Sequence, residues 1–302
     1  MKIVAVIIAR QGSSRLPGKA LAEVLGKPVI GHMIERLKAS PILSKVMIAT
    51  STNKEDDALE VYGKSQGIDV FRGHPEDVLD RLYNATRDID ADAVIEVGGD
   101  CPFLGREIIQ TGVDHFIREK ADFVTNALLP PYTAPNGYDF ILLTKSALKK
   151  IHEGAILKSE RYQPFQFVIR NPADFKTFSF TLDADYTNWR WTLDYKEDLD
   201  FVKRVFEELY PKNPLFEFNE IKQLILAKPE IAEINRMHHD PVVDFMAWST
   251  GSYVKEMHED IIELLSIAKK AEDKKDYAAA RTIYRKIEGF VKELVMRTDS
   301  KL

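Results

Sequence analysis

A mostly parallel β-sheet sandwiched between helices, an α/β fold, is the architecture this sequence predicts. Three observations carry it. Short apolar, β-branched runs alternate with helix-like segments through the first half of the chain. The first run empties into a loop dense in glycine and cations. A later run stops in a Gly-Gly-Asp-Cys-Pro turn. Ligands of such sheets sit beyond the carboxyl ends of the strands, so loop and turn can face one crevice.

Residues 3–9, mostly Ile, Val and Ala, read as a fully buried strand. Further strands are expected at 46–49, 69–71, 93–97 and 123–125. Helices are expected between them at 30–38, 55–65, 78–87 and 107–118. From 130 the pattern loosens, because the prolines around Tyr132 and Asn136 forbid a regular element. A strand at 139–143, a helix at 145–152 and an alternating strand at 175–182 follow. The tail changes character: 254–271 and 277–296 are helical and charged, with a turn at Lys274, Lys275 and Asp276. They predict a helical hairpin. Its Tyr277-Ala278-Ala279-Ala280 start and Tyr284 resemble a single tetratricopeptide unit, too few for a solenoid.

The whole-chain figures exclude several classes. A formal net charge of −5 gives no global case for nucleic acid or an anionic membrane. The single cysteine, Cys101, excludes an internal disulfide framework and suits a reducing cytoplasm. No apolar run approaches the ~18 residues of a transmembrane helix. The chain opens directly on a strand with no basic leader, so no signal peptide is expected.

The loop after the first strand reads Arg10-Gln11-Gly12-Ser13-Ser14-Arg15-Leu16-Pro17-Gly18-Lys19. Glycines let a backbone approach a ligand, and cations with free N–H groups suit an anion. A polyphosphate is the natural guest. The spacing is neither G-x-x-x-x-G-K-[ST] nor G-x-G-x-x-G. Asp100, where an apolar strand stops, can hold Mg²⁺ or simply form the turn. Asp194, three residues before Glu197, has a helix-capping alternative. Asp183-Ala184-Asp185 has the form of a glycosyltransferase metal motif but reads better as a solvated turn. Adjacent histidines rarely chelate together, so His238-His239-Asp240 is expected at the surface.

The loop's R-x-G-S-x-R-x-P-G-K form resembles the nucleotide-binding loop of the cytidylyltransferase family, and three later segments extend the resemblance. Residues 72–81, from Arg72-Gly73 to Arg81, are similar to the R-G-S-x-x-D-V-L-x-R of its spore-coat polysaccharide group. Gly99-Asp100-Cys101-Pro102 is similar to its G-D-C-P turn, and residues 190–199 to its R-x-T-x-D-x-x-E-D-L segment. All four occur in the family's order, over roughly 1–210.

The resemblance implies a Rossmann-like, GT-A-like nucleotidyltransferase domain at 1–235, with an insertion or dimerisation arm at about 128–172. Residues 236–302 form a helical extension outside it. It implies CTP and an acidic or phosphorylated sugar as substrates, Mg²⁺ on Asp100 and Asp194, and a homodimer; the charge, hydropathy and cysteine readings above add the expectation of a cytoplasmic location with no nucleic-acid or membrane partner. Arg10, Arg15, Lys19 and Asp100 are the expected catalytic residues. Ala9, Arg10, Gly12, Ser13, Ser14, Lys19, Thr50, Ser51, Arg81 and Gly99 are the expected nucleotide contacts. Asp139, in a segment similar to the group's G-x-D, and Arg161, where its R-E-H-V-T-P segment has histidine, are the expected acceptor contacts. A nucleotide-sugar-dependent glycosyltransferase and a non-catalytic nucleotide-binding scaffold acting through the tail remain as alternatives.

Overall fold

The structure is a computed structural model that describes residues 1–238 and 252–299. The alternating pattern becomes β1 (Ile3–Ile8), a two-residue pair β2 (Glu23–Val24) and β3 (Lys27–Pro28), α1 (Val29–Lys38), β4 (Leu43–Ser51) and α2 (Asp57–Ser65). Then come β5 (Asp69–Gly73), α3 (Val78–Thr86), β6 (Ala93–Gly98), α4 (Arg106–Glu119) and β7 (Phe123–Thr125). After these follow β8 (Ile141–Thr144), α5 (Lys145–Gly154), α6 (Lys158–Tyr162), α7 (Phe165–Arg170) and β9 (Thr177–Ser179). The domain closes with α8 (Lys196–Leu209), α9 (Phe218–Ala227) and α10 (Glu230–Glu233).

One seven-stranded sheet runs β5-β4-β1-β6-β8-β7-β9. β5, β4, β1 and β6 are mutually parallel, and β8 is the antiparallel strand between β6 and β7. From β1 the chain moves outward to β4 and β5, then returns to place β6 on β1's other side. The order therefore reverses at β1, and the crevice opens at the carboxyl ends of β1 and β6.

Alternation along β1 divides the core between the two faces. Ile3, Ala5 and Ile7 pack with Ile30, Ile34 and Leu37 of α1, Ile109 and Val113 of α4, and Phe201 and Val205 of α8. Val4 and Val6 pack with Leu79 and Leu82 of α3, Leu148 and Ile151 of α5, and Phe167 of α7. Every residue from Ile3 to Ile7 is at most 1% exposed, which is why that run shows no polar alternation.

The segment 128–172 supplies β8, hydrogen-bonded to both β6 and β7, then α5, α6 and α7, and the apolar faces of α5 and α7 complete one side of the core. One expectation is corrected. The strand expected at 175–182 shrinks to Thr177–Ser179, an edge strand paired only with β7.

The predicted hairpin is present as helices Ser252–Asp273 and Tyr277–Asp299. Lys275, at φ 59°, makes the turn between them. The hairpin docks through Leu264, Ala268, Ile283 and Phe290 onto Leu157.

Gly137 shows how tightly the later loops are laced. Its φ is +91°, and a Cβ there would lie 2.2 Å from the Thr192 amide nitrogen. Gly137→Ala is expected to cost at least ~1–3 kcal/mol from backbone strain, read as a lower denaturation midpoint. An unchanged midpoint would show that the 137 and 192 backbones are not held together.

Candidate active site

β1 delivers the chain to the cation-rich loop, and the loop closes on itself. The Gln11 carbonyl accepts from the amides of Ser13 (2.9 Å) and Gly18 (3.0 Å). The Ser13 hydroxyl accepts from the Leu16 amide at 3.3 Å. The buried Asp56 carboxylate ties the loop to the end of β4, accepting from the Gln11 amide at 2.6 Å and from the Ser51 amide and hydroxyl. Gly18, at φ +77°, takes a left-handed turn that other residues resist, and this turn directs Lys19 inward.

Lys19 reaches the centre of the site. Its Nζ donates to Asp100 Oδ2 at 3.0 Å and to Asp194 Oδ1 at 2.9 Å. Arg15 adds an ion pair to the same Asp194 oxygen at 2.8 Å. Burial works against the charge on Lys19, but Asp100 and Asp194 outweigh it, so the ammonium titrates above its ordinary value.

These groups, far apart in sequence, meet through backbone pairing. The Gly99 amide donates to the Ile8 carbonyl at 2.9 Å, which seats the Asp100 turn beside the end of β1. A Cβ on Gly99 would lie 2.8 Å from that carbonyl, so the close approach requires glycine. The Asp100 carbonyl then accepts from the Leu193 amide at 2.9 Å, bringing Asp194 alongside.

Asp194 is held from behind by a buried strut. Arg190 makes two hydrogen bonds to Asp198, at 2.8 and 2.9 Å. Asp198 also accepts from the amides of Asp194 and Tyr195, each at 2.9 Å, and from Asn235 Nδ2 at 2.9 Å. Burial opposes its charge, but Arg190 and those amides win and hold the carboxyl below the usual range. The capping alternative for Asp194 is thereby corrected: Tyr195 is the N-cap of α8, and Asp198 supplies the capping carboxylate. The Asp194 carboxylate is left free to face Lys19.

The loop and the two aspartates form one wall of a cleft of about 390 Å³. Ala9, Arg10, Ser13, Ser14, Arg15, Lys19, Arg81, Gly99, Asp100 and Asp194 all line it. The opposite wall was only partly foreseen. Beside Arg81 it contains Val78, Glu96 and Tyr162. Arg81 Nη1 donates to the carbonyls of His74 and Pro75, each at 2.7 Å, while its buried Nε has no partner. Burial and then the nearby Arg10 charge push its pKa down. His74, where the resembled segment has serine, does a hydroxyl's work: Nδ1 accepts from the amides of Glu76 (3.2 Å) and Asp77 (3.1 Å).

Glu96 lies on β6 facing this wall, and burial, only partly offset by Arg81, pushes its pKa up to about 7. The folded pKa exceeds the ordinary 4.5, so Glu96 contributes stability below about 4.5 that is lost as pH rises through about 7. Glu96→Gln removes that titration. The melting temperature of the variant minus that of wild type is expected to be greater at pH 8 than at pH 5. A difference that does not change with pH would contradict this.

Five expected site residues do not line the cleft. Thr50 and Ser51 are fully buried, with the Ser51 hydroxyl engaged by Asp56. Gly12 packs against Glu55, whose Oε1 is 2.2 Å from where a Cβ would stand. Asp139 lies behind the Asp100 turn, where burial and then the Asp100 charge raise its pKa to about 7. Arg161 turns away to Asp77, with Nε to Oδ2 at 2.7 Å, and its neighbour Tyr162 takes the place at the cleft. On a helix, adjacent side chains point about 100° apart, so a one-residue shift changes which of them reaches the site.

No local pattern announces the ring stack next to Asp194. Arg15 lies over the Tyr195 ring at 5.2 Å, and the His238 ring stacks on its plane at 3.9 Å. His238 is therefore a packed partner and not a simple surface residue, while His239 and Asp240 lie outside the described residues. Asp183 is exposed and paired with Lys222 at 2.7 Å, and Asp185 bonds Thr187, as a solvated turn requires. Cys101 is buried, which keeps it a thiol.

A metal fits this arrangement. Asp100 and Asp194 offer hard oxygen donors that already converge on one cation, the Lys19 ammonium. Mg²⁺ is commonly held by one or two carboxylates together with substrate phosphates. Among the described residues, no group of three or more His, Cys, Asp or Glu forms a protein-only cage.

A parallel sheet with a cationic loop and two convergent carboxylates at its switch point defines a nucleotide-handling α/β enzyme. The chain belongs to the cytidylyltransferase family, whose model matches residues 4–220, and it is a nucleotidyltransferase. The spore coat polysaccharide biosynthesis protein SpsF of Bacillus subtilis is 28% identical over 237 residues, 76% of this chain and 96% of that protein. The 3-deoxy-manno-octulosonate cytidylyltransferase of Geobacter metallireducens is 36% identical over 113 residues. That match spans 37% of this chain and 44% of that enzyme. The solved structure of a cytidylyltransferase from Leptospira borgpetersenii superposes with a TM-score of 0.72 at 30% identity, covering 77% of this chain and 97% of that one.

Proposed function

We propose that this enzyme transfers the cytidylyl group of CTP to an acidic or phosphorylated sugar, releasing pyrophosphate, in surface polysaccharide synthesis. The carrying observation is Lys19 Nζ held between Asp100 and Asp194 beneath a loop bearing Arg10 and Arg15. An acceptor oxygen attacks the α-phosphorus in line, forming the new P–O bond. The bond from the α-phosphorus to the bridging oxygen breaks, and its electron pair leaves with pyrophosphate. Arg10, Arg15 and Lys19 neutralise the charge that grows on the departing oxygens, and the loop amides orient them. Asp100 and Asp194 are the residues to hold Mg²⁺, which when bound supplies further charge neutralisation on the triphosphate.

Arg81 is a nucleotide contact, and Glu96 and Tyr162, which line the same cleft, are the groups on the acceptor side. The unit that performs the reaction is 1–235, with 236–302 as an appended element. It acts in the cytoplasm as a homodimer, as the family resemblance implies. Exposed, already-paired Asp183 and Asp185 leave the glycosyltransferase alternative without a metal motif in the cleft.

A pyrophosphate-release screen tests the reading. CTP, UTP, ATP and GTP are each paired with 3-deoxy-manno-octulosonate, other sugar acids and alditol phosphates in the presence of Mg²⁺. CTP-selective release with one acceptor class is the expected result. Release with another nucleotide, or none with any pair, rejects the cytidylyl assignment.

A further inference from the structure

We propose that the C-terminal hairpin positions the acceptor side of the cleft, acting through Asp260 on α6. The helix α6 has five residues, too few to hold its own shape. It is fixed from two sides. Toward the core, Arg161 is bound to Asp77, the N-cap residue of α3. Toward the tail, the Ser159 hydroxyl donates to both Asp260 oxygens, at 2.9 and 3.0 Å. Arg170, at the end of α7, donates to Asp260 at 2.7 Å and to the Ser159 hydroxyl at 2.9 Å.

The cluster is dry. The Arg170 and Asp260 side chains are 3% and 5% exposed, and Glu160, 3.6 Å from Arg170, is 2% exposed. Leu157, at the start of α6, is fully buried against Leu264 and Ala268 of the hairpin. The last residue of α6 is Tyr162, which lines the cleft. A segment with so little structure of its own owes its position to its anchors, so a change at Asp260 should be felt at Tyr162. Among the described residues, no hydrogen bond or ion pair joins the hairpin to a residue lining the cleft. Asp260 is therefore a positioning residue.

The test uses the full chain, two disruptive variants and one rescue variant. Asp260→Asn keeps the volume and removes the charge, and Ser159→Ala keeps the charge and removes the hydroxyl bridge. Asp260→Glu is the conservative rescue. The first readout is amide hydrogen exchange, which needs no substrate and stands even if the cytidylyl assignment fails. Exchange across 157–170 is expected to accelerate by at least about tenfold in both variants, with strand β1 unchanged.

The second readout rests on the proposed function and uses CTP with the acceptor that supports fastest release. The acceptor KM is expected to rise roughly fivefold, while the CTP KM and kcat stay within about twofold, and Asp260→Glu restores most of the loss. Unchanged exchange across 157–170 overturns the proposal. Faster exchange with unchanged acceptor KM also overturns it, leaving the hairpin a purely stabilising appendage. A wild-type enzyme silent with every nucleotide and acceptor instead marks failure of the cytidylyl assignment, and the exchange result then decides whether the hairpin positions α6.

Discussion

Lys19→Ala should lower kcat/KM for pyrophosphate release by about 10²–10³-fold, the cost of deleting one preorganised charge-stabilising group. The Lys19 side chain is 13% exposed, so its field is poorly screened, and both Asp100 and Asp194 lie within 3.0 Å of its Nζ. Removal has two consequences. A positive charge aimed at the phosphates is lost, and two carboxylates that shared it are left facing each other. Their repulsion makes the empty site more receptive to a divalent cation, so the variant should need less Mg²⁺ for half-maximal nucleotide binding even as turnover collapses. Steady-state kinetics with a Mg²⁺ titration reads both effects. Activity within threefold of wild type would remove Lys19 from the reaction. Lys19→Arg should recover little, because a planar guanidinium is too broad to serve both carboxylates from the same point.

Asp198→Ala is expected to destabilise the fold by about 3–5 kcal/mol, the usual cost of breaking a buried ion pair by removing one partner. Asp198 is fully buried and answers Arg190, Asn235 and the amides of Asp194 and Tyr195. Without it the Arg190 guanidinium is left close to Asp194 alone, at 3.6 Å. Asp194 should then be drawn from Lys19 toward Arg190, so activity of the surviving folded fraction should also fall. Urea denaturation followed by far-ultraviolet circular dichroism measures the first effect. A loss below 1 kcal/mol would mean that the strut carries little load. Asp198→Asn, which keeps the shape and part of the hydrogen bonding, should lie between the variant and wild type.

Much of the site was legible because its residues come in short contiguous runs. The loop from Arg10 to Lys19 carries its chemistry within ten positions, and the turn at Asp100 is marked by glycine and proline. Their placement follows from a rule about parallel sheets, not from side-chain detail. The far wall was less legible. Glu96 is one acidic residue within an apolar strand, and nothing local shows whether it faces a cleft or a salt bridge. Arg161 and Tyr162 are neighbours whose roles exchange with the orientation of a five-residue helix. Asp194 fits a capping pattern with Glu197, yet backbone geometry makes Tyr195 the N-cap and Asp198 the capping carboxylate.

Hydrophobic period and glycine or proline punctuation are local properties, and they were enough to read the alternating α/β order, the cationic loop, the two aspartates and the helical tail. That Lys19 lies between Asp100 and Asp194, that the Arg190–Asp198 strut frees Asp194, and that Asp260 reaches α6 emerge only in the folded chain. Each of these joins residues distant along the chain, Lys19 to Asp194 or Ser159 to Asp260, through hydrogen bonds whose partners no local pattern names. Such contacts exist only once burial has brought the elements together and every polar group enclosed must find a partner.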